Sequence, residues 1–416
     1  MNTSVNSSRL FLASCFALIT TAFSFSIRAG ILAQLGTEFG LSAEQLGFIN
    51  SMWFLGFPIS MIIGGLVYHT VGPRLIMTVA FVAHTLGILL TIYSGGYTGL
   101  LISTLFIGIG NGCTEAACNP MIADMYTGVQ MNKKLNRFHM WFPGGIVVGS
   151  LVSKVMTDNG LPWQTQIWVI LIPTIIYAFL FFGQAFPKSK VEGAASLSRN
   201  FQAMLTPIYL FIFCCMALTA ISEFGPQQWS GLVMSKSGAS PMLILALVTG
   251  LMAIGRYFGG PIIQRFDQTG VLLGSAVFAT IGIYLFSTQT GAMAYVAAVF
   301  FAVGVCYFWP TMIGFVAERI PLSGALGMSI VGGVGMFSTS IFQPIIGRWI
   351  DAERIVQSAA GKTGDIMELA AGQATLARMT TFPIILIVAF AGLYFFMRNR
   401  KLAHVDEITV LQQPQL

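Results

Sequence analysis

Two carboxylates stand inside apolar sequence where charge is costly. Glu115 lies in the run from Thr98 to Tyr126, TGLLISTLFIGIGNGCTEAACNPMIADMY, and Glu223 lies in the stretch ISEFGPQQWS from Ile221 to Ser230. An ionisable group at bilayer depth marks a functional position. A carboxyl taken out of water favours its neutral form, so it can bind and release a proton. Proton coupling is the chemistry this predicts for Glu115, with Glu223 as a second carrier. One buried cation, Arg28, stands in the apolar run near the N-terminus.

Helical spacing gives these groups neighbours. Gly108, Asn111, Glu115 and Asn119 fall at three- and four-residue steps and form one polar stripe. The Asn amides suit hydroxyl ligands, although bonds between helices would use them equally well. Glu223, Gln227 and Ser230 share a face next to Gln228 and Trp229, and Pro226 should bend that helix. Thr21, Ser24 and Arg28 form an equivalent stripe. Counting rise along the helices, Arg28 and Glu223 lie ~27 and ~26 Å from one membrane face and Glu115 only ~15 Å. Arg28 and Glu223 are thus expected at one depth. They form an outer ion pair that opens during transport or a static bridge, or else Arg28 binds an anion while Glu223 takes a proton. His139, beside Asn136 and Arg137, is a further titratable candidate, whereas His84 reads as a packing residue.

The elements that must hold these groups are membrane helices. Hydrophobic residues make up 55% of the 416 and charged residues 9%, against about 25% charged in soluble domains, and mean hydropathy is +0.78. Twelve spans are expected at about 10–35, 43–68, 75–94, 98–125, 136–157, 163–186, 206–234, 241–264, 271–288, 292–317, 323–349 and 376–397, each helical because lipid cannot satisfy open backbone groups. A signal peptide is disfavoured for the first. Arg9, Arg74, Lys133, Lys134, Arg137, Lys188, Lys190, Arg199, Arg265, Arg319, Arg398, Arg400 and Lys401 fall on one side. Lys154, Lys236, Arg348, Arg354, Lys362 and Arg378 fall on the other. The first side is therefore expected to be cytoplasmic, with both termini there. Residues 188–204 read as a cytoplasmic linker between six-helix bundles at 1–187 and 205–416. The stretch 351–374 is expected to carry a short surface helix without assigned function. The halves echo one another: Asn119-Pro120-Met121 matches Trp309-Pro310-Thr311-Met312 as a proline kink, and TVGPRLIM after the second span matches QTGVLLG after the eighth. Duplicated halves indicate a rocking secondary transporter with its site near the midplane.

The span order, the loop Gly65-Leu66-Val67-Tyr68-His69-Thr70-Val71-Gly72-Pro73-Arg74 and the linker resemble the major facilitator superfamily. More narrowly, Glu115-Ala116-Ala117-Cys118-Asn119-Pro120, Ile254-Gly255-Arg256-Tyr257, Trp309-Pro310-Thr311, Gly332-Gly333 and Gln343-Pro344-Ile345-Ile346-Gly347 resemble the fucose/proton symporter family. The resemblance implies gating at His69, Gly72, Arg74 and Asp267. His69 stands where an Asp is usual, and the fucose symporters carry an Asp near Arg28 or Ala29, so sugar recognition does not transfer from that helix. The resemblance also implies proton-driven import of a sugar, sugar derivative or sugar acid. Tyr307, Trp309 and Trp229 could then stack on a sugar ring, as could Trp53 beside Asn50; packing or an interfacial belt would explain the same aromatics.

Other classes lack their signatures. Cys15, Cys113, Cys118, Cys214, Cys215 and Cys306 all fall inside spans without a CxxC pair, so neither a metal nor a disulfide is expected. No phosphate-cradling GxxxxGK[ST] loop occurs, so an ion gradient and not a cofactor must supply energy. The basic residues are scattered, which argues against nucleic acid. Expected partners are a small solute, protons and lipid, for a monomer in the cytoplasmic membrane. An exporter or exchanger of organic anions or drugs is the alternative, a membrane sensor is less favoured, and no nucleophile, base and oxyanion set supports an enzyme.

Overall fold

The computed structural model describes residues 5–126, 128–187 and 197–397. The described residues are all-helical, and among them ten helices are long and apolar enough to cross a membrane. One of these, Ala43–Ile92, is broken at Gly72 (φ 75°, ψ 162°) into the second and third spans. The shorter apolar helix Pro241–Tyr257 supplies the eighth span and completes twelve crossings. Ile172, Phe179, Leu210 and Val388 stand exposed on the outside of the bundle, as expected where the solvent is hydrocarbon.

Local chemistry sets the boundaries. The first span, Ser7–Phe39, starts where Asn6 accepts from Arg9 N and ends at Gly40 in the left-handed conformation. The second starts at a capping box of Ser42 and Gln45. Arg9 donates to the carbonyls of Leu180 and Phe179 at the end of the sixth span, both at 2.9 Å. The chain start and the end of the first half therefore share one membrane face, called here the linker face. Lys134 sits there, over the Phe11 and Tyr126 rings. Segment 188–196 and the tail, with Lys188, Lys190, Arg398, Arg400 and Lys401, lie outside the described residues, as does the Arg199 side chain.

The opposite face is closed by contacts between the halves. Asp351, on the eleventh-span helix Gly324–Ala359, accepts from Ala43 N at 3.0 Å and Glu44 N at 2.8 Å. Its carboxylate thus caps the free amides and positive dipole end of the second span. Arg348 pairs with Glu44 at 3.2 Å, and Arg354 ties Asp351 to Glu368. A Cβ at Gly47 would collide with Gln343 O, and one at Gly347 with Ala43 O. Deeper, Ser340 Oγ donates to Ser51 O at 2.9 Å.

Two spans depart from expectation. Within 351–374 the eleventh helix runs on to Ala359, and a separate helix, Gly364–Met379, leads into Thr381–Met397. The fourth span, Tyr97–Met125, stays one helix through Pro120, whereas the tenth is interrupted between Ala292–Val305 and Phe308–Arg319. The eighth breaks too, at Phe258, before Gly259–Thr288 resumes and reverses at Asp267 (φ 58°, ψ 168°).

Candidate functional site

Arg28 is 6% exposed. Its Nη2 donates to Gln228 Oε1 at 2.7 Å, and Gln228 Nε2 donates to Phe25 O, so the seventh span holds the guanidinium by an amide. Trp53 and Phe54 cover the guanidinium, with ring centroids 5.1 and 5.8 Å from its carbon, a cation–π arrangement. Nε and Nη1 of Arg28 have no hydrogen-bond partner among the described residues. Around the group runs an aromatic cluster: Phe25 meets Trp53, Phe54, Phe142 and Phe224 edge-on, and Phe224 leads to Trp309.

A buried polar chain positions Trp53. Its Nε1 donates to Ser24 Oγ at 2.9 Å, Asn111 Nδ2 donates to the same oxygen at 3.3 Å, and Asn111 Oδ1 lies 2.9 Å from His84 Nε2. His84 Nδ1 lies 2.9 Å from Tyr177 Oη. A neutral His84 protonated at Nε2 satisfies every link, donating to Asn111 and accepting from Tyr177. Asn111, expected to bind substrate, is thus used in holding spans of the first half together.

The expected Arg28–Glu223 pair does not form. Glu223, 4% exposed, faces Arg256 Nη2 at 3.8 Å. The reason is the break in the eighth span, which leaves Arg256 at depth although the residue stands near the end of an apolar run. Proline chemistry explains the partner set. Pro310 lacks the N–H that would bond the carbonyl four residues back, which is Cys306 O, and Arg256 Nε donates to that oxygen at 3.0 Å. In return, Tyr307 Oη donates at 2.8 Å to Gly255 O beside the break in the eighth. Tyr307 is therefore engaged in joining two interrupted helices.

Glu115 is half-buried and accepts from Asn119 Nδ2 at 2.5 Å, a pair four residues apart on one helix. No ion pair holds Glu115 among the described residues. Gln227 Nε2 contacts Met252 Sδ at 3.8 Å and lines a small apolar crevice with Pro226 and Phe301 inside the second half. Trp309 is half-buried, over Gly332 and Gly335. Trp229 is fully buried with its Nε1 unpartnered, and Asn50 is fully buried with both amide atoms unpartnered. His139 is exposed, edge-on to Phe138. His69 and Arg74 lie at the exposed reversal around Gly72. Asp267 accepts from Thr269 N at 2.8 Å, capping the ninth span.

Sequence reasoning quoted Arg256 and Gln343 only within motifs and gave Asp351 no role. Arg256 carried a signal, an Arg followed by Tyr-Phe-Gly-Gly-Pro, a break-prone string in an apolar run.

Residues 14–342 match the model of the family described as Major Facilitator Superfamily. A hexuronate transporter of Bacillus subtilis is 27% identical over 168 residues, 40% of this chain and 39% of that protein. A probable chloroplastic anion transporter of Oryza sativa subsp. japonica is 24% identical over 150 residues, 36% of this chain and 26% of that one. The chain thus matches well under half the length of these relatives. A bacterial homolog of the human lysosomal transporter Spinster, solved inward-facing and unoccupied, superposes with a TM-score of 0.77 at 15% identity, covering 96% of this chain and 99% of that one. With the family model spanning most of its length and the fold agreeing throughout, the chain belongs to the Major Facilitator Superfamily of membrane transporters.

Proposed function

We propose that the chain is a secondary transporter of small organic anions, coupled to protons through Glu115, with Arg28 as the anion-binding group. The observation that carries this reading is the Arg28 guanidinium: buried, gripped by one neutral amide, and with Nε and Nη1 left without a partner among the described residues. An unmade buried hydrogen bond costs about 1–3 kcal/mol. A carboxylate is the ligand a planar guanidinium takes by parallel N–H bonds. The hexuronate and anion transporters to which the chain is similar support the same choice.

Glu115 suits the proton because it is half-buried beside an Asn and no ion pair fixes its charge among the described residues, whereas Glu223 faces Arg256. The resemblance of Glu115-Ala116-Ala117-Cys118-Asn119-Pro120 to the fucose/proton symporter family supports this assignment. The linker face, on the positive-inside argument, is cytoplasmic. The structure then has its external side closed by the Asp351 and Glu44 contacts.

Reconstituted in liposomes under an inward proton gradient, the protein is expected to accumulate glucuronate, and an uncoupler should abolish this. Glu115→Gln should remove gradient-driven uptake and retain exchange; undiminished concentrative uptake rejects Glu115 as the coupling group. Arg28→Met should abolish uptake of the anion, and retention within twofold rejects anion binding there.

A further inference from the structure

Asn50 and Gln343 are each 0% exposed, and all four of their side-chain polar atoms lack a hydrogen-bond partner among the described residues. They come from opposite halves of the molecule, on the two helices that form one seam. On the second span Ala43, Gly47 and Ser51 touch the eleventh; on the eleventh Ser340, Gln343 and Gly347 touch the second. Asn50 lies three residues from Gly47, so it shares that side of its helix. Gln343 lies on the stripe of Ser340 and Gly347. Asn50 also shares a helix face with Trp53 and Phe54 at steps of three and four residues. These are the rings that cover Arg28. Asn50 thus stands about one helical turn, ~5 Å of rise, from Trp53 toward the closed face.

Two amides placed at a seam only to glue it would bond each other or a backbone carbonyl, as Asn111 and Gln228 do with their neighbours. Four unmatched buried atoms are destabilising, and a cargo group that bonds them removes that cost. Each amide presents N–H donors and a carbonyl acceptor without charge. A hydroxyl, which donates and accepts at once, fits that pattern; an alkyl group would satisfy none of the four atoms, and a second carboxylate would be repelled by the carbonyl oxygens.

We propose that Asn50 and Gln343 form a hydroxyl-reading subsite beside Arg28, so that the cargo is a small carboxylate carrying hydroxyl groups. This rests on the reading of Arg28 as the carboxylate site. Because one amide belongs to each half, the hydroxyls are read when the halves meet at this face.

Binding to the purified full chain should be measured by titration calorimetry with glucuronate, cyclohexanecarboxylate and glucose, with melting temperature recorded for each variant. Glucuronate is expected to bind at least ~30-fold more tightly than cyclohexanecarboxylate, since each neutral hydrogen bond contributes roughly 1 kcal/mol. Asn50→Leu and Gln343→Met should each cut glucuronate affinity about tenfold and leave cyclohexanecarboxylate within twofold. Asn50→Ser, a smaller polar change, should restore part of the loss and covers the case in which the Leu variant does not fold. Equal binding of the two carboxylates to the unaltered chain overturns the subsite, as do equal losses for both in the variants or no glucuronate binding at all. Failure of the Arg28 reading looks different: glucose binds as tightly as glucuronate, Arg28→Met changes neither, and the dependence on Asn50 and Gln343 persists.

Discussion

Arg28 and Glu223 show what a single residue's depth does and does not tell. Counting rise set both at one level of their helices, yet the pair fails because Arg256 stands within 3.8 Å of Glu223. Arg28 was legible as a cation in an apolar run, and Glu115 with Asn119 as an i, i+4 pair, because those facts are local. Arg256 was hidden, since its depth depends on where the eighth helix breaks. That Arg256 answers both Glu223 and the carbonyl freed by Pro310 yields a prediction. Arg256→Met leaves a buried carboxylate and a carbonyl unmatched and should lower the melting temperature by several degrees. Adding Glu223→Gln should recover part of the loss, because removing one partner of a buried pair costs more than removing both. If the double variant melts no higher than the single one, the pair does not couple.

At the scale of helices, hydropathy located the crossings well because an apolar run must span the bilayer whatever its neighbours. The ends were less legible. The eleventh helix continues past the bilayer to Ala359 because its polar extension pairs with its surroundings, Asp351 with the second span and Arg354 with Glu368. Hydropathy cannot register such contacts. The breaks at Phe258 and at Cys306–Tyr307 are legible only together, since each supplies the donor that the other lacks. The close approach of the second and eleventh helices at Gly47 and Gly347 should be intolerant of bulk. Gly347→Leu would drive a side chain into Ala43 O and hold that face apart. Cysteine-reactive labelling at Ser51→Cys is expected to rise severalfold in this variant, and unchanged labelling would show that the contact does not close the face.

For the whole molecule, transport requires the closed face to open. The halves meet there through Asp351 on a helix start, the Arg348–Glu44 pair and the buried amides deeper in the seam. A short bifunctional crosslink between Glu44→Cys and Arg348→Cys should therefore stop transport with the protein still folded, and a cleavable linker should restore it on cleavage. Full transport in the crosslinked state would mean the halves do not separate there. The duplicated architecture was readable from paired motifs because both halves answer to the same bilayer. The way the halves touch was not, because it depends on side chains nearly 300 residues apart.

The two reversals, at Gly72 and Asp267, bear on how the halves compare. Matching the letters of the loops sets Gly72 against Gly270 and His69 against Asp267. The backbone instead turns at Gly72 in one half and at Asp267 in the other, three residues out of step. Three residues of helix amount to ~4.5 Å of rise and about 300° of rotation. An alignment drawn from the motif would therefore turn the ninth span by a sixth of a circle relative to the third and move side chains at the edge of its lipid-facing side toward the interior. Chimeras that exchange the halves' hairpins should be spliced at the turning residues, with Asp267 kept as the cap of the helix it begins.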